Sequence, residues 1–174
     1  MKVEDRVAMN QRIAEGYRNA YMRKGVEEGE RYEAWNFAPN AEYVSPYWTN
    51  DEIWILGDQQ IEAGKTAIME AKAISLVYPD WKVVDCQIWA AMDGFVMKNK
   101  WVGTKADGTS ATYYSYTFAR TNEAGQITRW ETHVDENFGP FIETVIGIRG
   151  PFREQHEYMD AIARVLEKAG VSID

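Results

Sequence analysis

The chain of 174 residues contains one cysteine, Cys86, and two histidines, His133 and His156. A single thiol excludes an internal disulfide and suits a reducing compartment. No apolar run approaches the roughly 18 residues that a membrane-spanning helix needs, and the densest stretch, Ile88 to Met92, is far too short. The opening MKVEDRVAMNQ is charged and holds no apolar signal region, so the expected location is the cytoplasm. Basic residues are also scarce: 19 Lys and Arg stand against 27 Asp and Glu, for a net charge of −8. Nucleic acid and anionic membrane surfaces are therefore poor partners, because both select clustered cations. There is no Gly-rich phosphate loop, no His-x-x-x-His or Cys-x-x-Cys spacing, and no Gly-x-Ser-x-Gly elbow. Gly103 to Gly108 reads as a hairpin and not as a dinucleotide fingerprint. The expectation is a protein without metal or cofactor.

Aromatic residues are abundant, with seven Trp and ten Tyr. They bring large apolar area with a polar handle, which suits both a core and a pocket for an aromatic or polycyclic ligand. A hydrophobic share of 45% with 26% charged residues fits a folded chain, and the length fits one domain spanning 1–174.

Met9, Ile13, Tyr17, Ala20 and Tyr21 recur at helical spacing and predict a first amphipathic helix, broken at Gly25. A short second helix carries Tyr32 and Trp35. Phe37 to Trp48 reads as a strand, and a third helix from about Ile61 to Val77 stops before Tyr78-Pro79. Four strands follow as a meander, about Lys82 to Met92, Phe95 to Thr104, Ser110 to Thr121 and Gln126 to Asn137. Asp93-Gly94 and Asp107-Gly108 supply two of its turns, and Asn122 to Gly125 a longer one. After a Gly/Pro segment, a last helix from about Arg153 to Ala169 shows an apolar stripe of Phe152, Met159, Ile162 and Leu166. Helices first and long strands later indicate an α+β class.

This order, with Trp35-x-Phe37-Ala38-Pro39-Asn40-Ala41-Glu42-Tyr43-Val44, Tyr78-Pro79-Asp80-Trp81, Gly103-Thr104 and Gly125-Gln126-Ile127, resembles the SnoaL-like and ketosteroid-isomerase-like branch of the nuclear transport factor 2 (NTF2-like) superfamily. The Pro-Asp-Trp segment is also similar to phenazine-biosynthesis A/B-type proteins. The resemblance covers about residues 7–137. It implies a cone, in which three N-terminal helices close a strongly curved mixed or antiparallel sheet around a largely apolar pocket. Residues 138–174 would then be an extension with an extra helix, packing on the domain or on a neighbouring subunit. Members include isomerases, polyketide cyclases, epoxide hydrolases, dehydratases, lyases and non-enzymatic carriers, so fold alone does not fix function.

On the last strand of the meander, Arg129, Glu131, His133 and Asp135 share one face, while Trp130, Thr132 and Val134 share the other. A histidine beside a carboxylate is oriented for proton transfer, which makes His133, with Asp135 or Glu131 as its carboxylate, the candidate acid–base pair. The plain alternative is a polar face toward solvent or a second subunit. By the resemblance, the family's terminal aspartate falls on Asp135. A position where epoxide hydrolases and phenazine-type proteins carry an acid falls on Thr132, which cannot titrate. Tyr114, Tyr116 and Phe118 share a face of the preceding strand, and Tyr116 fits an oxyanion donor. Lys98 and Lys100 lie opposite Met97, Asn99 and Trp101, and Lys98 would bind a phenolate or carboxylate if its face points inward. By the resemblance, Tyr43, Tyr47 and Trp48 line the pocket mouth.

The expectation is thus a cofactor-independent acid–base enzyme on an apolar, phenolic, phenylpropanoid or polycyclic substrate. Lignin-dimer lyases belong to the same superfamily, which inclines the reaction toward a lyase or dehydratase. An isomerase, a cyclase, or a non-catalytic carrier or assembly module is the alternative. The expected assembly is a homo-oligomer, with a dimer the commonest form.

Overall fold

A computed structural model describes residues 2–23, 36–44, 53–55 and 60–172. Helix α1, Val3–Met22, turns one stripe toward the sheet: Arg6, Asn10, Ala14, Tyr17, Ala20 and Tyr21 are buried at steps near 3.6 residues. Its first turn is acidic, with Glu4 and Asp5 favourably placed against the helix dipole. Strands β1 (Phe37–Val44) and β2 (Ile53–Ile55) precede helix α2, Gln60–Val77. The meander follows as β3 (Lys82–Ala91), β4 (Gly94–Thr104), β5 (Ser110–Thr121) and β6 (Ile127–Val134). Helices α3 (Phe138–Ile146) and α4 (Gln155–Ala169) close the order. The Gly25 break, the second helix with Tyr32 and Trp35, and the strand's continuation through Tyr47 and Trp48 all lie outside the described residues.

All six strands form one sheet in the order β2-β1-β6-β5-β4-β3. Only β1 and β6 pair in parallel, which makes the sheet mixed. Register shifts between Phe37 and Glu42, Val83 and Asp85, and Arg120 and Thr121 are places where such a sheet bends. At the β3–β4 hairpin the backbone comes close to β5: a Cβ on Gly94 would lie 1.8 Å from the carbonyl oxygen of Ala119. Only glycine fits there.

Helix α1 lies across β3 and β4. Its N-terminal end is tied to the hairpin turns by buried polar groups. Arg6 donates to the carbonyls of Met92, Asn122 and Thr121, while Asn10 donates to Ala91 O at 2.8 Å and accepts from the Thr121 hydroxyl at 2.7 Å. These bonds meet the backbone groups that a hairpin end leaves open. Helix α2 stops before Pro79 as the sequence predicts, and the Asp80 carboxylate accepts from Thr104 N at 2.6 Å.

The segment after β6 departs from expectation. Phe138–Ile146 is a helix within the stretch that reads in sequence as a Gly/Pro segment. A proline in the first helical turn removes no intrahelical bond. Phe138, Phe141, Ile142, Val145 and Ile146 repeat at helical spacing and bury one face. Phe138 and Phe141 close on Tyr113 of β5, at ring separations of 5.0 and 4.7 Å. Helix α4 packs on α2 and α3, with the Tyr158 hydroxyl donating to Glu70 at 2.7 Å. Among the described residues, no helix is long and apolar enough to cross a membrane.

Candidate functional site: the inner face of the sheet

Side chains alternate across β3 to β6, so each register row has an inner set toward the helices and an outer set. One inner row is Cys86, Asn99, Ser115 and Val134, the next is Ile88, Met97, Thr117 and Thr132, and the third runs Ala90, Phe95, Ala119, Trp130 and Tyr43. Rings of Tyr17 and Tyr21 from α1 close over this face. Tyr17 stands 4.8 Å from Trp130 and 6.4 Å from Phe95, and Tyr21 stands 5.2 Å from Trp101. Trp101 in turn stacks on Trp81 at 4.4 Å, which makes Trp81 a core anchor. Toward β6 and β1, away from α1, Tyr43, Thr132 and Val134 keep partial exposure.

Set within these rings is a group of neutral polar side chains. The Ser115 hydroxyl oxygen accepts from the Trp101 indole at 2.9 Å and from the Asn99 amide at 3.4 Å. Thr132 accepts from the Trp130 indole at 3.0 Å. The Tyr17 hydroxyl and the Asn99 carbonyl oxygen are buried and have no hydrogen-bond partner among the described residues. Burial, and secondarily Tyr21, holds the Tyr17 phenol well above its ordinary pKa, so it is protonated at neutral pH and acts as a donor. Tyr17 also lines a cleft of about 210 Å³ with Ile13, Gly16, Asn36 and Ile127. No inner position of β3 to β6 carries a carboxylate, imidazole or ammonium group. The inner thiol, Cys86, is pushed up to about 11 by burial and is inert as a base or nucleophile.

No family model matches the chain, and no curated protein matches it in sequence. Solved structures do match. A SnoaL-like polyketide cyclase from Jannaschia sp. CCS1 superimposes with a TM-score of 0.53 at 14% identity, over 79% of this chain and 93% of that one. An NTF2-like protein from Burkholderia pseudomallei K96243 gives 0.52 at 14%, over 79% and 97%. A phenazine biosynthesis-related protein from Pseudomonas aeruginosa gives 0.52 at 14%, over 83% and 91%. The chain has the NTF2-like fold. At these identities the likeness establishes architecture and leaves the chemistry to the residues.

Within this NTF2-like sheet, the residues singled out from sequence are divided between the faces. Tyr43 is on the inner face, opposite Trp130. Tyr47 and Trp48 lie outside the described residues. His133, Tyr116 and Lys98 form a single outer row with Gln87, and Tyr114 pairs with Lys100 in the row beside it. They are neighbours, as expected of a site, but on the face away from the helices. Lys98 spends its charge over the rings of Tyr114 and Tyr116, at 5.1 and 6.0 Å from their centroids. The carboxylate beside His133 is Glu131, at 2.7 Å, and not Asp135. The strand ends at Val134, so alternation stops and Asp135 turns to accept from the backbone and side chain of Asn137.

The outer face carries an ion-pair chain. Arg129 donates to Glu42 at 2.5 Å and to Glu131 at 3.2 Å, and Glu131 meets His133. The His133 hydrogen bond, then Arg129, holds the Glu131 carboxyl below its ordinary range, against some desolvation. Glu42 foremost raises the already high pKa of Arg129. Beside this chain lies a cleft of about 480 Å³ between Trp89 and Phe118, floored by Gly94 and Val96. Among the described residues, no group of three His, Cys, Asp or Glu side chains is arranged to hold a metal ion.

Of the polar groups on this face, sequence reasoning placed Tyr17 in the core stripe of α1, assigned no role to Asn99 or Ser115, and set Thr132 aside because it cannot titrate. Their signal was parity: each is polar yet sits at a position whose neighbours in the pattern are apolar.

Proposed function

We propose that the protein is an enzyme acting on an apolar aromatic small molecule held over the inner face of the sheet, with the Tyr17 phenol polarising a substrate oxygen. The observation that carries this reading is the buried Tyr17 hydroxyl, without a hydrogen-bond partner among the described residues, inside an aromatic layer. A buried donor without a partner costs about 1–3 kcal/mol, and phenylalanine would avoid that cost if the residue were only packing. A donor fixed in a water-poor site is useful where negative charge develops on oxygen, as in an enolate or a phenolate leaving group. Its raised pKa suits this task, since the phenol holds its proton while the substrate oxygen gains charge.

The reaction within this proposal is a lyase or dehydratase step on a phenolic or phenylpropanoid compound; isomerase and cyclase outcomes use the same polarised oxygen. The fold's occurrence in a polyketide cyclase and a phenazine biosynthesis-related protein supports a small-molecule substrate. The test starts from the compound that accumulates in a strain lacking the protein. With that compound, Tyr17→Phe should lower kcat by about 10²- to 10³-fold, with a melting temperature equal to or above the parent's. A Tyr17→Phe enzyme as active as the parent would overturn the reading.

A second reading, a carrier, is favoured by one observation: the acid–base side chains His133, Asp135 and Lys98 all lie off the inner face. A carrier would bind the accumulated compound and return it unchanged. For assembly, the proposal is a homodimer through the outer face, where Trp89 and Phe118 are 54% and 45% exposed.

A further inference from the structure

Four of the hydroxyl groups on or against the inner face, those of Tyr17, Ser115, Thr117 and Thr132, have no acceptor for their protons among the described residues. The Tyr17 hydroxyl makes no hydrogen bond. The side-chain oxygens of Ser115 and Thr132 accept from indoles and donate to nothing. Thr117, directly opposite Thr132, is 3% exposed and makes no side-chain hydrogen bond.

The two indole bonds decide the direction of this surplus. An indole N–H donates and never accepts, so in each pair the hydroxyl oxygen is the acceptor and its proton turns away from the ring. Trp101 does this to Ser115, and Trp130 to Thr132. Ser115 pairs with Val134 and Thr117 with Thr132, so Ser115 and Thr132 are diagonal neighbours across β5 and β6, about 7 Å apart. Thr132 lies in the part of the face that keeps partial exposure. Against these donors, the side-chain acceptor on the inner rows that cannot itself donate is the carbonyl oxygen of Asn99, which has no partner among the described residues.

We infer that the inner face selects its ligand by acceptor oxygens: it takes an aromatic ring bearing an ether or carbonyl oxygen, which Thr132 and Ser115 meet with protons that Trp130 and Trp101 turn toward it. The inference rests on the reading above that an aromatic molecule lies over this face, and it adds what decorates the ring. Thr132 and Ser115 are the binding residues; Trp130 and Trp101 are positioning residues that act through them. A bare hydrocarbon would cover the donors and leave them unmet, which is the costly outcome for buried polar groups.

The experiment is a fluorescence titration of the full chain with naphthalene, β-methoxynaphthalene and β-acetonaphthone. The ether and the ketone should bind about tenfold tighter than naphthalene, the size expected of a well-made buried hydrogen bond. Thr132→Val, which keeps the shape and removes the hydroxyl, should cut that preference to about threefold or less, and Thr132→Ser should retain it. Trp130→Phe, which removes the indole donor, should weaken the preference. Equal affinity for hydrocarbon and ether, or an unchanged preference in both Thr132→Val and Ser115→Ala, overturns the inference. Binding of none of the three defeats the functional reading as well, so the two failures are distinguishable.

Discussion

The inner and outer faces of the same four strands are built from adjacent residues and carry opposite chemistries. Inside, Asn99, Ser115, Thr117 and Thr132 offer neutral hydrogen-bonding groups among Trp101, Trp130, Tyr17 and Tyr21. Outside, Lys98, Arg129, Glu131 and His133 pair with one another or with rings, and Lys100 stands opposite Tyr114. Desolvation explains the division. A charge placed under α1 and the aromatic layer would lose its water without a partner, whereas a hydroxyl or an indole survives burial for the cost of one hydrogen bond. Polarity inside this molecule is therefore the polarity of donors. The carboxylates, the imidazole and the ammonium groups of these strands gather on the other side.

The comparison breaks most sharply at neighbouring positions on β5. Thr117 is 3% exposed and Phe118 45%. Thr117→Lys buries an unpaired ammonium and should cost about 4 kcal/mol or prevent folding. Phe118→Lys places the same group opposite Glu131 and should stay within about 1 kcal/mol. Urea melts of both variants check this; equal losses would mean that the faces are not as different as described.

A smaller effect sharpens the outer face. The Glu131 carboxyl is held below its ordinary value of 4.5, chiefly by His133 and then by Arg129. A depressed carboxyl adds stability above the unfolded value and loses it as pH falls through the folded one. Parent stability should therefore fall from near pH 4.5 downward, and Glu131→Gln should flatten that fall. The group is 29% exposed, so solvent screening keeps the effect modest. Thermal melts of the two proteins across this range measure it.

The smallest effect is expected at His133. His133→Gln removes the hydrogen bond to Glu131 and should lower stability slightly, while leaving kcat within about threefold of the parent's if the reaction occurs on the inner face. A loss of 10²-fold or more in a folded variant, the size of general acid–base catalysis, would return the chemistry to the outer face.

Much of this was legible in the sequence. The bounds of β3, β4 and β5, the turns at Asp93-Gly94 and Asp107-Gly108, the stop before Pro79 and the alternation from Arg129 to Val134 follow from local rules, and the structure keeps them. Strand β6, by contrast, ends at Val134, short of the expected Asn137. Alternation sorts Arg129, Glu131 and His133 from Trp130 and Thr132, but not which set faces the helices. That is fixed by α1, whose Arg6 and Asn10 grip turns more than 80 residues away. Titratable residues drew attention to the outer parity, because chemistry was sought in charge. Helix α3 is less legible because its stretch is interrupted by Gly139 and Pro140, and the apolar repeat from Phe138 to Ile146 shows its purpose only with Tyr113 and α2 beside it.

The most direct test is a crystal structure of the protein soaked with β-methoxynaphthalene. The account predicts the ring over the Thr117–Thr132 row, with its oxygen within hydrogen-bond reach of the Thr132 or Ser115 hydroxyl and Tyr17 closing over it. A ring seated instead between Trp89 and Phe118, beside His133 on the outer face, with the inner face unoccupied, would contradict it.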